Sequence, residues 1–144
     1  MEHMAILSKK RKLLNKILSG EKKIESRWYK FKRAPFGCIS EGDIIYFKES
    51  GEPVTIKARV EKFQVYDNLN PAVINNIIKE YGNLIGVDSG FAEEVINKRF
   101  CILIFLKDVQ KIKPFNINKK GYGLMSAWIS VDNINKIISP KYSV

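Results

Sequence analysis

Lys22, Glu25 and Arg27 fall within one short segment, and Trp28 and Tyr29 follow them directly. An ammonium, a carboxylate and a guanidinium beside two adjacent rings are the side chains that a flat, anionic ligand requires. Arg27 offers a planar fork to a phosphate or a base edge, and Lys22 adds a point charge. Glu25 can hold both in place while accepting from an amino group such as that of cytosine, and Trp28 or Tyr29 can stack on a base. The same three side chains also suit hydrolysis: a desolvated Lys22 flanked by Arg27 would act as base, with Glu25 as acid or as the group that orients water. The plain alternative is an ion-pair network that ties a helix to a strand and contributes little at a surface.

Charge is concentrated around this segment. Residues 1–33 hold eleven Lys and Arg against three Glu, a net of +8, whereas the remaining residues hold fourteen against twelve, a net of +2. Lys30, Lys32 and Arg33 continue the basic run and alternate with Trp28, Tyr29 and Phe31. Like charges crowded together repel, and a polyanion relieves that repulsion. Residues 22–33 are therefore read as a binding surface. The run Lys9-Lys10-Arg11-Lys12 is read as a solvated helix face.

The single histidine excludes whole classes of mechanism. Serine and cysteine nucleophiles activated by imidazole, and most zinc hydrolase sites, need a histidine set among partners. His3 has no cysteine or carboxylate cluster near it in sequence and is read as a bystander. Neither a metal nor a cofactor is expected. Cys38 and Cys101 sit among apolar neighbours and read as small buried hydrophobes of a reducing compartment. No apolar run approaches the length of a membrane span, and the first residues lack the order of a secretory signal. The expectation is a soluble, cytoplasmic, single domain over residues 1–144 with no membrane partner.

The positioning elements follow from periodicity and punctuation. Met4 to Leu7 reads as a short strand, and Ser8 can cap a helix with Leu13, Leu14, Ile17 and Leu18 on one face. Gly20 closes that helix, which leaves Lys22 in the turn before a strand. Along that strand Glu25 and Arg27 share one side, while Ile24, Ser26 and Trp28 share the other. Lys22 is out of phase with the two charged residues, so all three can meet only if Lys22 belongs to the turn. Ser26 is expected to point away from them.

A loop containing Pro35 and Gly37 leads to the apolar strand Ile44 to Phe47. After the break at Ser50 to Pro53, Val54 to Tyr66 alternates apolar and polar residues as a long half-buried strand. Asn70-Pro71 opens a helix with Val73, Ile74, Ile77 and Ile78 inward, and Asp88 or Ser89 is expected to cap another running through Phe91, Val95 and Ile96. Phe100 to Leu106 is a buried strand, and Val109 to Phe115 continues it. Gly121-Tyr122-Gly123 turns, Ser126 to Ile129 forms a last strand, and Asp132 caps a terminal helix. These elements argue for an α+β fold, a small curled β-barrel with helices closing its ends.

Gly20, Lys22, Glu25 and Arg27 match the Gly-x-Lys-x-x-Glu-x-Arg signature of the ASCH domain family, within the PUA-like β-barrel superfamily. The resemblance extends to the Gly42-Asp43 turn, the Tyr46-Phe47-Lys48 stretch, the Cys101 to Leu106 strand and the segment from Gly121-Tyr122-Gly123 to Trp128. It implies a PUA-like barrel with a cleft between its open face and its helices, and an association with RNA. Relatives are regarded as RNA readers, as parts of transcription coactivators and, in one bacterial branch, as amidohydrolases of N4-acylcytidine. That branch has a lysine matching Lys22 but a threonine where this chain has Glu25, with a carboxylate that Asp88 or Glu93 would have to supply.

The expected partner is RNA or a modified nucleotide, with single-stranded DNA as a second candidate. The residues expected to contact it are Lys22, Glu25, Arg27, Trp28, Tyr29, Lys30, Lys32, Arg33, Lys48, Lys119, Lys120, Tyr122, Ser126 and Trp128. Lys22 and Glu25 would be catalytic only in an enzyme. The resemblance leaves an N4-acylcytidine amidohydrolase and a protein-interaction module as the other two readings.

Overall fold

The computed structural model describes residues 1–139. Among these, six strands form one sheet: β1 (Glu2–Leu7), β2 (Ile24–Tyr29), β3 (Ile44–Glu49), β4 (Val54–Tyr66), β5 (Phe100–Phe115) and β6 (Trp128–Val131). Their spatial order is β2-β5-β4-β3-β1-β6. β1 and β3 run parallel, and the remaining neighbours are antiparallel. The sheet curls into a half-barrel, so that the side chain of Arg27 on β2 reaches the carbonyls of Ile6 on β1 and Ala127 just before β6, toward the other end of the strand order.

The curl originates in the long β4–β5 ladder. Its register shifts at three places along β4, and Asp108 on β5 takes a left-handed backbone with φ 53°. Each such irregularity bends a strand and increases its twist. The strand expected over Phe100 to Leu106 and continued by Val109 to Phe115 is one element, which runs through the bulge at Asp108.

Among the described residues, three α-helices pack around the sheet. In α1 (Leu13–Ser19) Ile17 is buried inside the curl, and Gly20 closes the helix with φ 85° and an N–H donated to the Ile17 carbonyl. The expected single helix after Ser8 is divided. Ser8 caps a short 3-10 turn, Lys9–Arg11, and Lys12 then adopts a left-handed backbone before α1 begins. α2 (Pro71–Ile85) starts at Asn70, whose side chain accepts the Val73 N–H, with Pro71 where its missing N–H costs nothing. It packs Ile74, Ile77, Ile78 and Ile85 on the outer face of β2 and β5, against Ile24, Trp28 and Leu103.

Two expected caps are corrected. α3 (Phe91–Glu94) has only four residues and begins after Gly90, while Asp88 accepts the Gly90 N–H one turn earlier. At the end of the described chain, Asn133 rather than Asp132 caps a 3-10 turn, Ile134–Lys136, and Asp132 pairs with Lys136 instead. No helix among the described residues is long and apolar enough to cross a membrane.

Candidate functional site: a cationic cleft at the barrel seam

β2 pairs with β5 and β6 with β1, so each leaves one edge free at opposite ends of the curled sheet, and a cleft of about 640 Å³ opens where these edges face each other. The α1 and α3 regions and the loops that follow β2 and precede β6 complete its walls. Because the cleft runs along a strand edge, side chains from both faces of β2 reach it. Glu25 and Arg27 lie opposite Ile104 and Ile102 and so face the interior of the curl, whereas Ser26 and Trp28 lie opposite Leu103 and Cys101 on the outer face. Ser26, expected to point away, lines the cleft for this reason, and its Oγ accepts the Trp28 Nε1–H at 2.9 Å.

Lys22 does belong to the turn, and the three charged residues of the signature converge. The Lys22 Nζ is 3.2 Å from Glu25 Oε1 and donates to the carbonyls of Ile24 at 2.5 Å and Ile85 at 2.7 Å. Glu25 Oε2 receives Arg27 Nε at 2.7 Å and Nη2 at 2.7 Å. Lys22 and Glu25 are each only 2% exposed. This is the ion-pair network of the plain alternative, tying a helix end to a strand, but it is buried rather than at the surface, and loss of one partner would strand a charge.

Burial pulls the Lys22 pKa below its ordinary value, with Glu25 opposing the shift. Burial alone would raise Glu25, but the adjacent Arg27 and Lys22 charges outweigh it and hold the carboxyl below its usual range. Lys22 has three acceptors around it, which is the full capacity of an ammonium. In that state it has no lone pair to take a proton from a substrate. Its position assigns it to joining the C-terminus of α2 to the start of β2 and to keeping Glu25 ionised.

Arg27 spans the seam. It donates through Nη1 to the Ala127 carbonyl at 3.3 Å and through Nη2 to the Ile6 carbonyl at 3.4 Å, and its guanidinium lies 5.2 Å from the centroid of the Trp128 ring. Those two carbonyl contacts are long for an N–H to oxygen hydrogen bond. Arg33 stands over Tyr29 at 4.7 Å, and burial raises the Tyr29 phenol above its ordinary pKa. The Ser126 hydroxyl donates to the Trp128 carbonyl at 2.7 Å and shapes the turn into β6.

The expected ligand-contacting residues divide into two groups. Lys22, Glu25, Arg27, Trp28, Tyr29, Arg33, Ser126 and Trp128 line the cleft. Lys30, Lys32, Lys48, Lys119, Lys120 and Tyr122 do not. Lys30 is exposed, and Lys32 lies 5.5 Å from the Phe100 centroid. Lys48 is buried on β3, and burial together with the Lys119 charge lowers its pKa. Lys120 and Tyr122 are exposed on the loop before β6. Neither Asp88 nor Glu93 reaches the cleft, so neither supplies the later carboxylate that the amidohydrolase reading needs.

Sequence reasoning missed Arg11 and Lys98, which bring cations to the cleft from the other wall. Arg11 pairs with Glu94 and lies 5.0 Å from the Phe91 centroid. It belonged to a basic run whose charges looked interchangeable, and only the left-handed Lys12 separates it from the helix. Lys98 precedes Arg99 in an unpatterned stretch, where no sequence signal marks it.

No protein-family model and no curated protein matches the sequence. The fold does match solved structures. The crystal structure of an ASCH protein from Zymomonas mobilis shares 18% identity at a TM-score of 0.68, over 90% of this chain and 87% of that one. Two single-substitution variants from Zymomonas mobilis share 17% identity at a TM-score of 0.70, each over 94% of this chain and over 93% and 91% of theirs. With the curled six-stranded sheet and the cleft at its seam already described, this similarity identifies the fold of the chain as that of an ASCH domain.

Proposed function

We propose that the cleft binds RNA or a modified nucleotide, with a phosphate held by cationic side chains and a base against the aromatic wall. The observation that carries this reading is the charge of the lining: Arg11, Lys22, Arg27, Arg33 and Lys98 line the cleft against one lining carboxylate, Glu25, with Arg11 paired to Glu94. Among the described residues Arg33 and Lys98 have no carboxylate partner, whereas Lys22 and Arg27 share Glu25. Uncompensated cations around a concave surface concentrate field on an anionic ligand. The volume falls within the range of about 300–1,000 Å³ typical of small-molecule clefts. Trp28, Tyr29 and Trp128 contribute aromatic surface to the lining, and a base would enter beside the guanidinium groups that lie over Tyr29 and Trp128.

Binding is favoured over hydrolysis by the surroundings of Lys22, whose donors are already taken up by two carbonyls and Glu25. The test is a fluorescence titration with cytidine monophosphate and with a short single-stranded RNA, run on the wild type and on an Arg33→Ala, Lys98→Ala double variant. Saturable binding that weakens about tenfold or more in the variant supports the reading, since each charged hydrogen bond contributes about 1.5–3 kcal/mol. Failure of both probes to bind, or equal affinity for the variant, overturns it.

A further inference from the structure

His3 is fully buried on β1, in register with Ser130 of β6, and is no bystander. Its Nε2 lies 2.8 Å from Asp43 Oδ2, and its Nδ1 lies 2.8 Å from Ser130 Oγ. The same Ser130 Oγ lies 3.1 Å from Trp128 Nε1, and the imidazole and indole centroids are 5.4 Å apart, tilted at 44°. Trp128 in turn carries the Arg27 guanidinium on its ring in the cleft.

Donor and acceptor chemistry gives this chain a direction. An indole N–H only donates, so Ser130 Oγ accepts from Trp128 and keeps its own proton to give. An ionised carboxylate only accepts, so His3 Nε2 must carry the proton shared with Asp43. His3 Nδ1 is then the acceptor for the Ser130 hydroxyl, and every buried polar atom from Trp128 to Asp43 is satisfied with a neutral imidazole. Asp43 Oδ2 is itself fixed by the Ser40 N–H at 2.9 Å.

We infer that His3 and Ser130 are positioning residues for the cleft, acting through Trp128: the chain Trp128 to Ser130 to His3 to Asp43 sets the plane of the indole that faces Arg27. The inference rests on the nucleotide-binding reading only for its consequence, because the chain can be tested without ligand. Trp128 lines the cleft on one side and meets His3 behind it. Loss of the hydroxyl leaves the indole N–H without an acceptor and lets the ring swing from the orientation that stacks on Arg27. An orienting contact of this kind acts on geometry, where shifts of about 1 Å are felt strongly.

The test uses the full chain and its one histidine, whose ring nitrogens can be observed without assignment. Nitrogen NMR at neutral pH is expected to show the proton on Nε2 with Nδ1 bare. The indole N–H of Trp128 is expected to exchange with solvent at least about tenfold faster in Ser130→Ala, to recover in Ser130→Thr, which keeps the hydroxyl, and to leave the Trp28 indole unchanged. Cytidine monophosphate affinity, measured well below the unfolding midpoint of each variant, is expected to fall in Ser130→Ala and return in Ser130→Thr. A proton on Nδ1, or unchanged indole exchange in Ser130→Ala, overturns the inference. If the wild type binds no cytidine monophosphate, the proposed function fails, while the tautomer and exchange measurements still decide the hydrogen-bond chain.

Discussion

The guanidinium of Arg27 lies 5.2 Å from the centre of the Trp128 ring, so the two free edges of the sheet, on β2 and β6, meet through a cation and an indole. No backbone ladder joins these strands among the described residues. The seam is held by side chains, and side chains can yield to a ligand where a ladder would not. Arg27 is also tied to Glu25, and Glu25 to Lys22, so what touches the seam is coupled to the end of α2 through the Ile85 carbonyl.

The first prediction concerns Lys22. Removing one member of a buried ion network leaves a desolvated charge behind, at a cost of about 3–5 kcal/mol. Lys22→Ala is expected to lower the urea unfolding free energy by that order. An unfolding free energy within about 0.5 kcal/mol of the wild type would contradict the role given to Lys22.

Much of this network was legible in sequence. The spacing of Glu25 and Arg27 fixes their common face, and Gly20 after an apolar helical turn places Lys22 before the strand. Val54 to Tyr66 formed a strand over its full expected range, because strict alternation leaves only one register that buries Val54, Ile56, Ala58 and Val60. The opposite wall of the cleft was not legible. Arg11 and Lys98 enter it through the curl of the sheet and the short α3, which are long-range consequences of packing. His3 was misread because its partners are distant in sequence, Asp43 in the turn before β3 and Ser130 on β6, and carry no local signature. The expected cap at Asp132 lost to its neighbour Asn133, since either side chain can accept from a following N–H and only geometry chooses.

A second prediction separates backbone strain from steric crowding. Gly20 and Gly86 both have left-handed backbones, with φ of 85° and 89°. A Cβ on Gly20 would meet nothing within 4 Å, whereas one on Gly86 would lie 3.3 Å from Leu13 Cδ2 and 3.6 Å from the Lys22 Cβ. Gly20→Ala is expected to cost about 1–2 kcal/mol from strain alone. Gly86→Ala is expected to cost more and to disturb Lys22. Equal thermal unfolding midpoints for the two variants would count against this packing of α1, α2 and the β2 turn.

Stability should fall in two stages on acidification. Burial of His3 lowers its pKa below 6.5, with Asp43 opposing and the Met1 amino group adding to the shift. The unfolded chain therefore takes up a proton that the native state excludes. This contribution is complete above about pH 6.5 and is lost as pH falls toward the native value. Glu25 and Asp43 are both held below their ordinary values, Glu25 by Arg27 and Lys22 and Asp43 by its hydrogen bonds to His3 and Ser40, each against the upward pull of burial. Their contributions are present above the ordinary carboxylate range and are lost below it. Urea midpoints measured between about pH 7.5 and pH 3 should show both stages, and His3→Gln should remove the upper one. A midpoint independent of pH between about 7 and 5 would contradict the burial of a neutral imidazole.

Arg27 should not be replaceable by lysine. Its fork gives Nε and Nη2 to Glu25 while Nη1 and Nη2 reach across to Ala127 and Ile6, a set of directions that a single ammonium cannot reproduce. Arg27→Lys is expected to weaken cytidine monophosphate binding nearly as much as Arg27→Ala, by about tenfold or more. Full affinity in the lysine variant would reduce Arg27 to a point charge.

The salt dependence of single-stranded RNA affinity tests the cationic cleft most directly. Each phosphate neutralised on a single strand contributes about −0.7 to the slope of log affinity against log salt. The wild type is expected to show a slope of about −1.4 or steeper, and the Arg33→Ala, Lys98→Ala variant a slope shallower by about 1. An affinity that salt leaves unchanged, or a slope identical in the two proteins, would contradict the account.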